Sequence, residues 1–248
     1  NIMTETTQDK IKAIKRRFRL MMNGEASRSM REKGLDYHLN WGVPFVSLKE
    51  MAREIGQDYN LAIELWKDDV RECKILATLL MPPDKMPVEV AEIWMEQTRS
   101  QEMAEMQAFN LYQHVSYAPT IAYRWMAREE DVYQICAYNI LSRLFMRGQE
   151  PNERGMHEFL DQAIAAMLSG HVGVCHAAMN AVSRFAGMGV VYEAWDERLA
   201  RVVALKVLRA RLYEIERERL ELLLQELQNK VDENPELQKF KDQILFEI

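Results

Sequence analysis

The sequence is poor in residues that break helices and in residues that form disulfides. Its 248 residues include only ten Gly and seven Pro, about 4% and 3%, against roughly 7% and 5% in average globular chains. Sandwiches and barrels need turn residues at every strand end, so this scarcity argues against them. Three Cys are too few for a disulfide scaffold and are typical of a reducing compartment. We therefore expect an all-α protein.

Long apolar segments are also missing. No apolar run approaches the roughly 18 residues that a membrane-spanning helix needs. The start of the chain shows no apolar segment followed by a small-residue cleavage site, so nothing there resembles a secretion signal. These observations predict a cytoplasmic protein that makes no membrane contact.

Charge is unevenly distributed, although the net charge is −6. Residues 1–40 carry nine Lys or Arg and five Asp or Glu, a net +4. Residues 41–189 carry thirteen basic and twenty acidic residues, a net −7. Residues 190–248 carry ten basic and thirteen acidic residues, a net −3. The basic N-terminal segment is either a nucleic-acid contact or the solvated face of an amphipathic helix.

The prolines indicate a repeat. Pro87, Pro119 and Pro151 are 32 residues apart, and proline is tolerated in the first turn of a helix. A tryptophan also recurs near the end of the first helix of each pair, at Trp66, Trp94 and Trp125. A fixed period of this size is the mark of a solenoid. We expect an α-solenoid of HEAT-like helix pairs, with the three tryptophans in the core between repeats.

The second helix of each predicted pair is more apolar than the first. Apolar residues recur at helical spacing over 71–80, 101–115, 132–145 and 172–187. The spacing Ser47-x-x-Glu50 further predicts a capping box at the start of a helix over 47–55. The solenoid is expected to occupy residues 1–190, including the basic N-terminal helices.

The C-terminal part has a different pattern. Leucines at mostly three- and four-residue steps predict one long amphipathic helix within 191–248, followed by a short terminal helix after Asn234-Pro235. Such a helix either packs on the solenoid or pairs with a second chain or a protein partner.

Three stretches follow one another in a specific order. Trp41-Gly42-Val43 precedes the segment 47–56, IELWKDDVRECKILATLL spans 63–80, and the turn Thr98-Arg99-Ser100 leads into a second helix. This order resembles the DNA alkylation repair enzyme family, the HEAT-like repeat alkylpurine DNA glycosylases, over roughly residues 35–190. The resemblance implies a curved solenoid whose basic concave face holds duplex DNA. It also implies hydrolysis of the N-glycosidic bond of cationic alkylated purines.

The catalytic residues that the resemblance implies are two Trp, an Asp and an Arg. A carboxylate stabilises the oxocarbenium-like cation that forms during glycosidic cleavage, and aromatic faces hold a cationic base. In this sequence the first Trp falls on Glu102, the Asp on Met106, the Arg near Ile135 and the second Trp on Asn180. The chain thus diverges at every one of these positions. Glu102 and Glu105 are the carboxylates that could substitute, and enzymatic activity stays open.

Seven basic residues lie on the second helices or in the turns that lead into them, the elements that face DNA in the family. Arg suits bidentate phosphate contact. The alternative is ordinary ion pairing with nearby carboxylates such as Glu72, Glu129 and Glu130. The candidate DNA contacts are Arg71, Lys74, Arg99, Arg128, Arg143, Arg147 and Arg184.

Asn110, Asn139 and Asn180 take equivalent places in three second helices. They either contact nucleic acid or form a ladder in which each side chain bonds the neighbouring repeat's backbone.

His171, Cys175 and His176 have a spacing that could begin a metal site. No second metal-ligand motif accompanies them, so a packed helix with a buried thiol is the better interpretation. No phosphate-binding loop or nucleophile motif is present, and we expect neither a metal nor a cofactor.

Two functions remain open at this point. One is a DNA-binding member of the alkylation repair family that acts on duplex DNA carrying alkylated bases, with cleavage of the glycosidic bond left open. The other is a non-catalytic solenoid that binds a protein partner through its concave face.

Overall fold

A computed structural model describes residues 6–186, together with Gln225 and Asn229. Within these residues the chain forms eleven α-helices and two short 3₁₀ turns, Pro83–Lys85 and Tyr112–His114, and no strand. The helices are α1 Thr7–Leu20, α2 Gly24–Glu32, α3 Phe45–Ile55, α4 Tyr59–Lys67, α5 Arg71–Leu80, α6 Val88–Glu96, α7 Gln101–Asn110, α8 Ala118–Met126, α9 Asp131–Met146, α10 Glu153–Met167 and α11 Val172–Ala186. The all-α prediction is confirmed.

The helices form pairs, as the repeat predicts. The four predicted second helices correspond to α5, α7, α9 and α11, although the second of them ends at Asn110 and continues only as a 3₁₀ turn. Hydrogen bonds between pairs join residues about one repeat apart. Trp66 Nε1 donates to Gln97 Oε1 at 2.7 Å, a separation of 31 residues. The Tyr117 hydroxyl donates to the Met86 carbonyl at 2.7 Å, again 31 residues apart. The spacing of the prolines therefore corresponds to the sequence separation between residues that join neighbouring helix pairs.

Proline and polar caps set most of the helix starts. Pro44 and Pro87 immediately precede α3 and α6, and Pro119 lies in the first turn of α8. Side chains cap several other helices by accepting a backbone N–H, among them Thr6, Asn23, Asp58, Ser100 and Asn152.

The predicted capping box at Ser47 is wrong. Helix α3 begins two residues earlier, at Phe45, and Pro44 occupies its N-cap without a side-chain hydrogen bond. The fixed φ of proline, −59° at Pro44, allows the helix to begin directly after it, so Ser47 lies within the first turn.

The tryptophans form the core between repeats, as predicted. The rings of Trp66 and Trp94 stack with centroids 4.3 Å apart and an interplanar angle of 6°. Trp125 is fully buried and meets Tyr112 and Tyr133 edge to face. Aromatic pairs of this kind add about 0.5–1.5 kcal/mol beyond the area they bury.

The described residues belong to two compact units, one up to Leu141 and one from Ser142 onward. The first holds α1–α8 and most of α9. In the second, α10 packs on α11, and the rings of Phe145, Phe159 and Phe185 pack against one another. The predicted boundary at residue 190 and the predicted long helix over 191–248 lie outside the described residues, apart from Gln225 and Asn229.

Candidate nucleic-acid interface

Arg71 joins two neighbouring helix pairs through a buried ion pair. It is the first residue of α5, and its Nε lies 3.1 and 3.0 Å from the two carboxylate oxygens of Glu102 on α7. Its Nη2 lies 2.6 Å from Glu102 Oε1. The side chain of Arg71 is only 4% exposed. A fork-shaped guanidinium suits this two-oxygen contact.

Glu72 holds the loop before α3 against the same arginine. Its fully buried carboxylate accepts the backbone N–H groups of Trp41 and Val43, each at 3.2 Å, and lies 3.3 Å from Arg71 Nη1. The same Nη1 donates to the Val43 carbonyl. The Trp41-Gly42-Val43 motif is therefore an attachment of this loop to α5. From the sequence, Glu72 was expected only to form an ordinary ion pair.

Arg71 and Glu102 require corrections. Arg71 is not available for phosphate, because its guanidinium is buried and bonded to two carboxylates and a carbonyl. Burial alone would lower the pKa of Arg71, but Glu102 and Glu72 raise it overall, so the group stays charged. Glu102 is a poor catalytic carboxylate, because the charge needed for an oxocarbenium ion already compensates Arg71. Ion pairing, the alternative interpretation for Arg71, is the one observed.

Lys74 lies in the first turn of α5, and Arg99 lies in the turn that leads into α7. Lys74 is half-buried: its Nζ donates to the Trp66 carbonyl at 2.9 Å and lies 4.4 Å from the centre of the Trp66 ring. Burial lowers the pKa of Lys74, and the nearby carboxylates of Asp69 and Asp68 offset this only in part. Arg99 itself is exposed. Within the described part of the chain, no carboxylate lies within 4.0 Å of its guanidinium.

Arg128 occupies the corresponding turn before α9. It is exposed, forms a two-point ion pair with Glu130 at 3.0 and 2.5 Å, and lies 4.4 Å from the Tyr133 ring centre. Its hydrogen bonds lower the pKa of Glu130 to about 2. Ion pairing is thus observed here too, but the pair is at the surface, where such pairs are worth little and can exchange partners.

The second unit carries the remaining three basic candidates. Arg143 is half-buried and Arg147 is exposed, one turn apart at the C-terminal end of α9. Arg184 is exposed in the last turn of α11.

The asparagines do not form the predicted ladder. Asn110 Nδ2 donates to the Thr78 hydroxyl of the preceding pair at 2.9 Å, a side-chain contact 32 residues away. Asn139 is 5% exposed and donates to Ile135 O in its own helix at 2.8 Å. Asn139 is therefore too buried to touch nucleic acid. Asn180 is half-buried.

Asn110 also lines an open groove of about 630 Å³. Asp84, His114 and Ser116 contribute further polar side chains to its wall. Asn110 therefore stays a candidate contact.

None of the positions that correspond to the family's catalytic residues holds a free carboxylate, since Glu102 pairs with Arg71. Met106 takes the place of the Asp, and its sulphur lies 3.8 Å from Asn110 Nδ2. Ile135, near the place of the Arg, is 1% exposed and lies in the core. Glu105 is half-buried and accepts a hydrogen bond from Gln101 Nε2 at 2.9 Å.

Cys175 packs in the way that a buried structural thiol does. It is 5% exposed, and its Sγ lies 3.3 Å from the Met167 carbonyl and 3.6 Å from Met179 Sδ. His171 Nδ1 accepts the Val174 N–H at the start of α11. Over residues 6–186, no three His, Cys, Asp or Glu side chains cluster as metal ligands would. In the same range no helix has the length and apolarity to cross a membrane.

Fold and site together define a class of protein: stacked α-helix pairs of the HEAT-like type, with basic residues in the turns that begin the second helices. A family model described as "DNA alkylation repair enzyme" matches residues 14–168. This match covers more than half of the chain, so the protein belongs to the DNA alkylation repair enzyme family.

A solved structure gives the same fold. It is described as "a new family of proteins related to the HEAT-like repeat DNA glycosylases with affinity for branched DNA structures". The two share 14% sequence identity with a TM-score of 0.66, over 80% of this chain and 81% of the other. No curated protein sequence matches this chain significantly.

Proposed function

We propose that this protein binds DNA through phosphate contacts from the turns that begin its second helices, and that it does so without releasing bases. The observation that carries the proposal is the exposed guanidinium of Arg99 in the turn that leads into α7, which has no carboxylate of the described residues within 4.0 Å. Membership of the DNA alkylation repair family supports DNA as the ligand.

Several other groups suit the same role. Arg128 lies in the next turn along the chain and can exchange Glu130 for a phosphate. In the other unit, Arg147 and Arg184 are exposed at the C-terminal ends of α9 and α11, so they are separate candidate contacts rather than part of these turns. Because the chain as a whole is acidic, affinity must come from such local positive sites rather than from net charge.

Branched DNA is included among the proposed ligands. The similar solved structure belongs to a family described as having affinity for branched DNA. Recognition through phosphates does not depend on base sequence, so a junction and a linear duplex of the same sequence are the right pair of ligands to compare.

The test is the affinity for labelled duplex and four-way-junction DNA over a range of salt concentrations. Arg99→Gln should weaken binding several-fold and reduce the slope of log affinity against log salt by about 0.9, the value for one lost phosphate contact. Arg124→Gln is the matched control, because Arg124 is an exposed arginine on a first helix that pairs with Glu92 at 2.9 Å. No binding by the wild type at low salt contradicts the proposal and favours the protein-binding alternative.

The absence of base release rests on the carboxylates of α7. Glu102 compensates Arg71. Glu105, the other carboxylate of that helix, does not align with the family's Asp, because Met106 takes that place. We expect base release from methylated DNA by the wild type and by Glu105→Gln to equal that of a protein-free control. Release by the wild type that is lost in Glu105→Gln would show a glycosylase and overturn this part of the proposal.

A further inference from the structure

Helix α1 packs on the first unit through one narrow apolar face. Ile11, Ile14 and Phe18 are buried, and Phe18 packs on Trp41 with ring centroids 5.6 Å apart. This face is covered by the protein, so it is not available to a membrane or to a partner helix.

The cations that flank this buried face are neutralised within the unit. Lys10 pairs with Asp58 and Lys15 with Asp68, both at 2.9 Å. Arg17 pairs with Glu54 at 2.8 Å. These pairs attach α1 to α3 and α4, and the Lys15 pair places α1 beside the turn between α4 and α5.

The cations on the opposite face point to solvent. Lys12, Arg16 and Arg19 follow one another at steps of four and three residues and so share one side of the helix. All three are exposed. Among the described residues, no carboxylate lies within 4.0 Å of any of them. We call these three residues the outer stripe.

We propose that the outer stripe is a second phosphate-binding surface for duplex DNA, additional to the turns that carry Lys74 and Arg99. This inference rests on the proposed function. The stripe extends about 10 Å along α1, a length over which duplex DNA carries roughly six phosphate charges. Each strand contributes about half of these charges, so three exposed cations, two of them arginines, match the phosphates of one strand in number.

The alternative occupant is an anionic membrane. Leu20 and Met22, at the end of α1, are 87% and 61% exposed. An interfacial helix, however, inserts a whole apolar face into the lipid, and the apolar face of α1 is already buried in the protein. The geometry therefore favours a purely electrostatic ligand such as the DNA backbone.

The experiment compares two triple variants of the full chain. The first is Lys12→Gln, Arg16→Gln and Arg19→Gln. The control is Lys49→Gln, Lys85→Gln and Arg124→Gln, which removes the same three charges from exposed sites outside α1. Binding to duplex DNA is measured against salt concentration, and binding to phosphatidylserine vesicles is measured in parallel. The unfolding midpoint of each variant confirms that it folds.

The stripe variant should bind duplex DNA about tenfold or more weakly at low salt, with a log–log salt slope reduced by about 2–3. The control triple should keep the wild-type slope. Equal slopes for the stripe variant and the wild type overturn this inference and leave the proposed function intact. A wild type that binds no DNA overturns both. Vesicle binding that the stripe variant loses, with duplex binding unchanged, assigns the stripe to membranes and overturns the inference.

Discussion

The guanidinium of Arg71 contacts both carboxylate oxygens of Glu102, a residue 31 positions later and in the next helix pair. In a repeat protein such a contact stabilises the interface between neighbours. Glu102 also stands at the position where the family's first catalytic Trp is expected. One ion pair thus links the stability of this protein to its divergence from the glycosylases.

Removal of the arginine should be strongly destabilising. Arg71→Met leaves the fully buried carboxylate of Glu72 without its cation, and breaking a buried pair from one side costs about 3–5 kcal/mol. Urea denaturation followed by circular dichroism measures the change in the free energy of unfolding. The control is Arg124→Met, which breaks a more exposed pair and should change that free energy by less than about 1 kcal/mol. Equal effects of the two substitutions would contradict the structural role of Arg71.

Gly42 is required by its conformation and by its surroundings. Its φ is +69°, and a Cβ there would lie 2.3 Å from the Asn23 carbonyl oxygen and 2.8 Å from the Ser27 nitrogen. We expect Gly42→Ala to lower the free energy of unfolding by roughly 2–4 kcal/mol, from backbone strain and steric overlap together.

Gly34 provides the matched control for this prediction. Its φ is also positive, +89°, but open space surrounds the position of its Cβ. Gly34→Ala should therefore cost only the backbone strain, about 1–2 kcal/mol. A Gly42→Ala variant no less stable than Gly34→Ala would show that the loop accommodates a side chain.

Asp58 should make the stability depend on acid pH. Burial opposes its charge, but the Leu61 N–H and Lys10 outweigh burial, so the pKa of Asp58 is lowered in the folded protein. A carboxyl with a lowered pKa contributes stability above its unfolded pKa, near 4, and loses that contribution as pH falls through the folded pKa.

Asp58→Asn isolates this effect, because Asn also caps helices well but carries no charge for Lys10. The wild type should be more stable than Asp58→Asn at pH 7, and this difference should shrink toward zero as the pH falls below about 4. Urea denaturation at a series of pH values gives the difference. A difference that stays constant over that range would contradict the account.

Much of the fold was predictable because repeated helix pairs produce a periodic pattern in the sequence. The proline spacing and the recurrent tryptophans depend on contacts between neighbouring repeats, and those contacts are 31–33 residues apart in Trp66, Asn110 and Trp125. The start of α3 was less predictable. Ser47 and Glu50 have capping-box spacing, but Pro44 begins the helix earlier.

The candidate site was less predictable, because a basic residue in a turn looks the same whether it faces solvent or the core. Arg71 and Arg99 both lie at the start of a second helix, yet one is buried and the other is exposed. Which of them is free depends on Glu102 and Glu72, whose carboxylates reach Arg71 only once the repeats are stacked. The same holds for α1. Its cations divide into paired ones and the outer stripe only because Asp58, Asp68 and Glu54 lie beside the helix in the folded chain.

The most direct test of the central claim is the salt dependence of DNA binding by the wild type, Arg99→Gln and Arg124→Gln. The proposed function predicts that the affinity of the wild type falls steeply and linearly in a plot of log affinity against log salt, and that Arg99→Gln alone has a shallower slope. It also predicts no base release above the protein-free level in the same samples. A wild type that shows no affinity at low salt, or three proteins with the same slope, would contradict it.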